Sequence, residues 1–385
     1  MITTLAVSGY RSLVDLVMPV GRATVVTGPN GSGKSSLYRA LQLLAAAASG
    51  RTVAAIAAEG GFDSALWAGP ESPVDLTGGG SASVQGTVRT RPVSLRLGFA
   101  SSELGYLVDL GLPQTDGASP FARDPEIKRE QVFAGPVAKP ATLFVDRDRG
   151  GVRVRDTTWR SLTQHLAPHE SILTETADAD ATLELLALRR QLSGWRFYDH
   201  FRTDRDSPIR RPQIGTRTAS LAHDGSDLAA AWASSEDAGH AAQLEREVAR
   251  AFPGGRVRIE AEAGRFRLTM RQPGLLRALD ASELSDGTLR YLLLIAALLP
   301  ARRAPFVVLN EPESSLHPDL LGALAELVIA ASDDSQVLVV THSEQLRDAL
   351  AAAGADVVGF RSDGGGTRIE GQEPLDRPAW RWPSR

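Results

Sequence analysis

Residues 28–36 read Gly28, Pro29, Asn30, Gly31, Ser32, Gly33, Lys34, Ser35 and Ser36, and residues of these types at this spacing suit a run of phosphates. Glycines let backbone amides turn inward around phosphate oxygens. Lys34 brings a cation to the β and γ groups, and the Ser35 hydroxyl is a ligand for Mg2+. A helix starting there adds the positive end of its dipole. A plain glycine turn would need no more than the glycines. Here Val25 and Val26 form a short apolar strand before the loop, and Leu37, Leu41 and Leu44 recur after it at the spacing of a helix face.

Three later segments carry further candidates. "PFVVLNEPESSLHP" at 305–318 is a buried strand running into carboxylates, with Glu311 placed to polarise a water. Asn310 stands where a nucleotide-hydrolysing site usually keeps an aspartate. "VLVVTHSEQL" at 337–346 sets His342 at the end of another apolar run. "ELSDGTLRYLLL" at 283–294 opens a helix at Ser285 and Asp286, both good N-cap types. Taken singly, each segment fits an ordinary strand end or helix start. In this order, and behind a phosphate loop, they read as one set.

With these four segments the chain resembles the ABC-class P-loop ATPases, and within them the compact RecF-like branch related to SMC and OLD-family proteins, AAA-family ATPases. The opening "LAVSGYRSLVDL" is similar to that branch's first strand. The resemblance implies that residues 28–36 hold ATP, that Ser35 and Asn310 serve Mg2+, that Glu311 is the general base and that His342 steadies the γ-phosphate side. It also implies that Ser285 and Gly287, in the signature motif, approach ATP held by another subunit, so that an ATP-dependent homodimer forms and hydrolysis releases it.

Two departures stand out. Asp286 replaces the signature glycine of transporter-type relatives, and either caps its helix facing outward or pairs with Arg290 one turn on. "EGGFDSALWAG" at 59–69 offers no Q-loop glutamine. Asn310 has two readings. Mg2+ keeps several of its waters, so an amide oxygen can accept from one of them without supplying charge. The other reading is a degenerate, non-hydrolysing site.

The elements that must position these residues are β/α in pattern. The expected fold class is α/β, a P-loop NTPase with an ABC-type ATPase head, an antiparallel β subdomain and an inserted helical lobe. Residues 1–156 are expected to form an N-terminal ATPase lobe whose period-two segments from about 81 onward make the β subdomain, with a loop over 111–125 and a Gly150-Gly151 turn. Residues 157–253 take helical spacing, as at Leu185, Leu188 and Leu192. Residues 254–372 open with a hairpin and return to β/α alternation, and 373–385 read as a tail.

Composition bounds what the chain can do. The 385 residues, 43% hydrophobic and 23% charged, can bury a sizeable core. A formal net charge of -4 means that any polyanion must bind a local patch. Zero cysteines remove disulfides and thiolate chemistry. No secretory leader follows Met1, and no apolar run reaches the roughly 18 residues of a membrane span, so no membrane partner and a cytoplasmic location are expected. The segment 196–217 has six arginines against three aspartates, with Phe197, Tyr198 and Phe201 interleaved. It suits DNA, with arginines on phosphates and aromatics near bases, or a solvated, ion-paired loop. Arg11 is a lesser candidate for the nucleotide. His165 and His169, four apart, are parted by Pro168 and read as surface residues. The expected function is ATP binding and hydrolysis coupled to DNA-related work, repair or defence. The alternative is a nucleotide-gated module that switches an unknown protein partner with little turnover.

Overall fold

The computed structural model describes residues 1–69, 93–114, 119–175 and 183–384. Residues 81–92 of the expected β subdomain and 115–118 of the expected loop lie outside these. The chain forms two compact units: Met1–Val20 with Gly28–Gly194 and Gly359–Arg385, and Gly21–Thr27 with Trp195–Val358.

The first unit is built on an eight-stranded antiparallel sheet in the order Leu13–Pro19, Ile2–Tyr10, Leu95–Ser101, Leu104–Gly111, Glu126–Ala134, Leu143–Asp148, Gly151–Arg155, Trp159–Thr163. The period-two segments became strands because alternate side chains can be buried on one face. The turn falls one residue earlier than expected, at 149–150: Asp148 pairs with Gly151, and Arg149 takes the left-handed conformation at φ 51°. The helix Lys34–Ala47 buries Leu37, Leu41 and Leu44, as their spacing predicts.

A charged cluster lies in this unit's interior. Glu130 and Arg147 have no exposed side-chain surface and pair at 3.1 Å. Glu130 also accepts from the Tyr106 hydroxyl and the Ser171 hydroxyl, both at 2.5 Å, and from the Ile172 amide at 3.0 Å. Arg147 donates onward to the carbonyls of Arg149, Ala167 and Glu170. Burial and the Glu130 charge push the Tyr106 phenol well above its ordinary value, so it stays a donor. The C-terminal segment is packed rather than loose. Trp380 meets Phe133 edge-on at 6.0 Å and Trp382 at 5.2 Å, and both indoles lie against a cluster of Ala100, Leu107, Phe133 and Ala138.

The second unit carries a parallel sheet in the order Arg196–Tyr198, Phe306–Asn310, Gln336–Val340, Ala23–Thr27, with Asp356–Asp363 beyond. That last strand runs on past Val358 into the first unit, where it pairs antiparallel with Gly366–Ile369. The helix Asp286–Leu298 buries every residue from Leu289 to Leu298, which explains its apolar composition: it is a core helix. No helix among the described residues is long and apolar enough to cross a membrane.

The expected helical lobe at 157–253 is divided between the units. Trp159–Thr163 extends the antiparallel sheet, Arg196–Tyr198 joins the parallel one, and the helices Leu228–Ser235 and Ala241–Ala251 pack their apolar faces into the second unit's core. The hairpin Arg256–Glu262 with Arg265–Arg271 forms as expected.

Glu130→Gln leaves the buried Arg147 guanidinium without its counter-charge. It should lower the stability of the first unit by about 3–5 kcal/mol. Urea unfolding measures this, and a change below about 1 kcal/mol would show that the pair behaves as an exposed one.

Candidate functional site

In the first unit the phosphate loop is a tight cradle. Gly33 caps the helix at φ 102°, and no side chain caps the first-turn amides, which leaves them as donors. A Cβ on Gly28 would stand 2.2 Å from the Phe360 carbonyl oxygen, and one on Gly33 would stand 2.0 Å from Thr367 Oγ1, so only glycine fits either place. Thr367 braces the loop from behind, its hydroxyl donating to the Ser32 carbonyl at 2.8 Å and accepting from Ser12 Oγ at 3.0 Å. Lys34 is 6% exposed, and its ammonium donates to the carbonyls of Gly28 at 2.6 Å and Pro29 at 3.0 Å. The cation is thus fixed at the loop's centre. Ser32 Oγ is buried and has no hydrogen-bond partner among the described residues. Pro29, Asn30, Gly31 and Ser35 face solvent, and Ser36 is half-buried. Arg11 is held by Glu59 at 2.8 Å, and Glu59 also accepts from the Tyr10 hydroxyl at 2.5 Å.

In the second unit the parallel register aligns the strand ends. Val26 lies beside Val340, and Val340 beside Asn310, so Glu311 and His342 leave the sheet at one edge. The strand Ala23–Thr27, ending at that edge, is the one that hands the chain to Gly28. Glu311 adopts φ 48°, a left-handed conformation that costs a residue with a side chain about 1 kcal/mol or more. Its amide donates to the Val340 carbonyl at 2.8 Å, which holds the turn. His342 Nδ1 lies 3.4 Å from Glu311 Oε1 and 3.6 Å from Glu313 Oε1. Glu311 and His342 remain about half exposed, at 41% and 53%, and open to a ligand. Glu313 is buried, accepts from Thr341 Oγ1 at 2.5 Å and keeps Oε2 without a partner among the described residues.

Three residues here carry no local sequence signal of their role. Glu313 stands only two places from Glu311. Asp199, at the end of the neighbouring strand, accepts from Asn310 Nδ2 at 2.8 Å. Arg290 is buried, and it donates to the main-chain oxygens of Glu311 at 3.2 Å and Asp199 at 3.4 Å. Burial lowers its guanidinium from the ordinary arginine value, against the pull of Glu313, Asp199 and Glu311.

The residues fit Mg2+ in one specific sense. Among the described residues no group of three or more carboxylates and imidazoles is arranged to cage a bare ion. Mg2+ needs no such cage, because it keeps waters and takes phosphate oxygens. Asn310 Oδ1 is buried without a partner among the described residues, which makes it an acceptor in reserve for a metal-bound water.

The signature segment is a helix start. Ser285 caps Asp286–Leu298 by accepting from the Thr288 amide at 3.2 Å and is exposed. Gly287 lies so close to the turn after Glu313 that a Cβ would stand 2.9 Å from the Ser315 carbonyl oxygen. Asp286 does not pair with Arg290. It pairs with Arg210 at 2.6 Å, because Arg290 turns into the core. Arg210 also donates to the carbonyls of Ala281, Ser282 and Leu284, at 3.2, 3.2 and 2.8 Å, and from Nε to Thr203 at 2.9 Å.

These contacts correct the stacking part of the nucleic-acid reading of 196–217. Phe197, Tyr198 and Phe201 are buried, at 6%, 1% and 2% exposure, and cannot stack on bases. The Arg210 side chain is 10% exposed and fully engaged. Arg202, Arg211 and Arg217 pair with Asp204, Asp206 and Asp237, and Arg196 donates to Ser220. The segment is an ion-paired brace for the signature turn. Arg210→Met should therefore cost the second unit about 2 kcal/mol, while Arg202→Ala, whose pair is exposed, should stay within about 0.5 kcal/mol. Urea unfolding of the two variants separates them, and equal small effects would contradict the brace.

A family model described as "AAA domain, putative AbiEii toxin, Type IV TA system" matches residues 23–348. No curated protein matches the chain significantly. Among solved structures, the SMC head bound to the C-winged helix domain of ScpA is similar with a TM-score of 0.52 at 16% identity, covering 96% of this chain and 97% of that one. The SMC head domain from Thermotoga maritima is 18% identical over 97% of this chain and 99% of its own, with a TM-score of 0.47. At these identities the first match speaks for the fold, and the second adds no argument. The chain belongs to the AAA family whose model spans residues 23–348, and its fold is that of an ABC-class P-loop ATPase head related to SMC heads.

Proposed function

We propose that the chain hydrolyses ATP, and that two copies clasp the nucleotide between them. The observation that carries this reading is the placement of Glu311. It is strained at φ 48°, half open to solvent and 3.4 Å from His342, at the sheet edge from which the strand Ala23–Thr27 enters the phosphate loop. Strain of this kind persists where the surrounding structure holds a side chain to a task.

In this reading Lys34 and the loop amides bind the β- and γ-phosphates. Glu311 takes the proton from the attacking water and His342 orients it on the γ-phosphate side. Ser35 and Asn310 would hold Mg2+, which neutralises phosphate charge when bound with ATP. Ser285 and Gly287, at an exposed helix start, present a hydroxyl and a bare backbone to the γ-phosphate of the other copy's ATP. The loss of charge at Asn310 favours a second reading, a nucleotide-gated switch with little turnover, and steady-state phosphate release separates the two. DNA-related work is what the resemblance implies, and stimulation of phosphate release by DNA ends tests it.

Lys34→Ala should depress hydrolysis by about two orders of magnitude and weaken ATP binding; parental turnover would remove the loop from the site. Glu311→Gln should bind ATP without hydrolysing it and accumulate a dimer that sediments as such only with ATP. Ser285→Arg added to that variant should dissolve the dimer while each copy still binds nucleotide. A Glu311→Gln chain that stays monomeric at saturating ATP and Mg2+ contradicts the shared site.

A further inference from the structure

We propose that Asp199 supplies the negative charge that Asn310 lacks, so that the two side chains together act toward Mg2+ as one acidic residue would. This rests on the ATP reading above and extends it to a positioning residue 111 places away in sequence.

The pairing follows from the sheet. Arg196–Tyr198 runs parallel to Phe306–Asn310 with Tyr198 opposite Leu309, so the next residues, Asp199 and Asn310, leave the edge side by side. Asn310 Nδ2 donates to Asp199 Oδ1 at 2.8 Å. A carboxylate only accepts, so this bond fixes which way the amide faces. The nitrogen turns to Asp199 and the oxygen turns away, and that oxygen is the buried atom with no partner among the described residues.

The Asp199 carboxylate pulls on the buried Arg290 but is not committed to a salt bridge among the described residues. The segment around it is rich in arginine, yet Arg202 pairs with Asp204, Arg211 with Asp206, and Arg210 with Asp286. Asp199 is exposed and has no salt bridge among the described residues. Its main-chain oxygen, not its carboxylate, accepts from Arg290. An anion bonded to the N–H end of an amide polarises the group and makes its oxygen a stronger acceptor. Carboxylate, amide and metal-bound water then form a chain in which the charge sits one residue further back. The degenerate-site reading of Asn310 has no use for such an arrangement.

The test exchanges the two groups. Asp199→Asn is isosteric, so the hydrogen bond to Asn310 survives and only the charge is lost. Adding Asn310→Asp keeps the bond with donor and acceptor exchanged, and puts the charge on the strand Phe306–Asn310. The readout is Mn2+ affinity, from electron paramagnetic resonance titration of each protein saturated with a non-hydrolysable ATP analogue, with analogue affinity in chelator and a thermal melt alongside. Asp199→Asn should weaken Mn2+ about tenfold, leaving the metal-free analogue affinity unchanged and the chain folded in the melt, and the double variant should recover the parental value within about twofold. Parental Mn2+ affinity in Asp199→Asn, or no recovery in the double variant, overturns the inference while the ATP reading stands. A parent that binds no analogue overturns both.

Discussion

The parallel register of four short strands is the constraint on which the site depends. Because Val26, Val340 and Asn310 are aligned across the sheet, with Tyr198 beside Leu309, each chain leaves at the same edge. Ligands of open α/β sheets bind beyond the carboxyl ends of the strands for this reason. A one-residue slip in any pair would turn Glu311 or His342 to another side of the sheet. The strands resist it because they are buried on both faces and carry Val, Leu and Phe along most of their length.

Charge at this edge is held by buried groups that would be costly alone. Arg290 projects from an otherwise apolar helix into a region bearing Glu311, Glu313 and Asp199, and two of its bonds go to main-chain oxygens there. It therefore ties the helix that begins at Ser285 to the turn that carries Glu311. Arg210 fixes the other end of that helix start through Asp286 and three carbonyls. The helix start at Ser285 and the turn that carries Glu311 are thus linked through guanidinium groups, whose fork of donors suits several acceptors at once.

Much of the candidate site could be proposed from sequence because its parts are local. The phosphate loop, the strand before Glu311, the apolar run before His342 and the N-cap at Ser285 each declare themselves within a dozen residues, and the second unit's parallel sheet follows from that alternation. What stayed hidden is what the fold brings together. Asp199 meets Asn310 only because two distant strands are neighbours, and Glu313 is distinguished from Glu311 only by burial. The arginines of 196–217 left two readings open because composition counts charges and does not show their partners. Phe197, Tyr198 and Phe201 read as a stacking surface, yet all three are buried. The lobe boundaries failed for a related reason: Ala23–Thr27 belongs to one unit and the loop it feeds to the other, a division that order along the chain cannot reveal.

The central proposal is that the chain binds ATP with Mg2+ through residues 28–36 and that Glu311 and His342 serve its hydrolysis. Amide hydrogen exchange of the full chain, with and without Mg2+ and a non-hydrolysable ATP analogue, tests it directly. The expected result is slowed exchange at 28–36, 310–313 and 341–343 over the same range of analogue concentration. Protection at 28–36 with 310–313 and 341–343 unchanged would contradict it, because Glu311 and His342 would then not respond to the nucleotide.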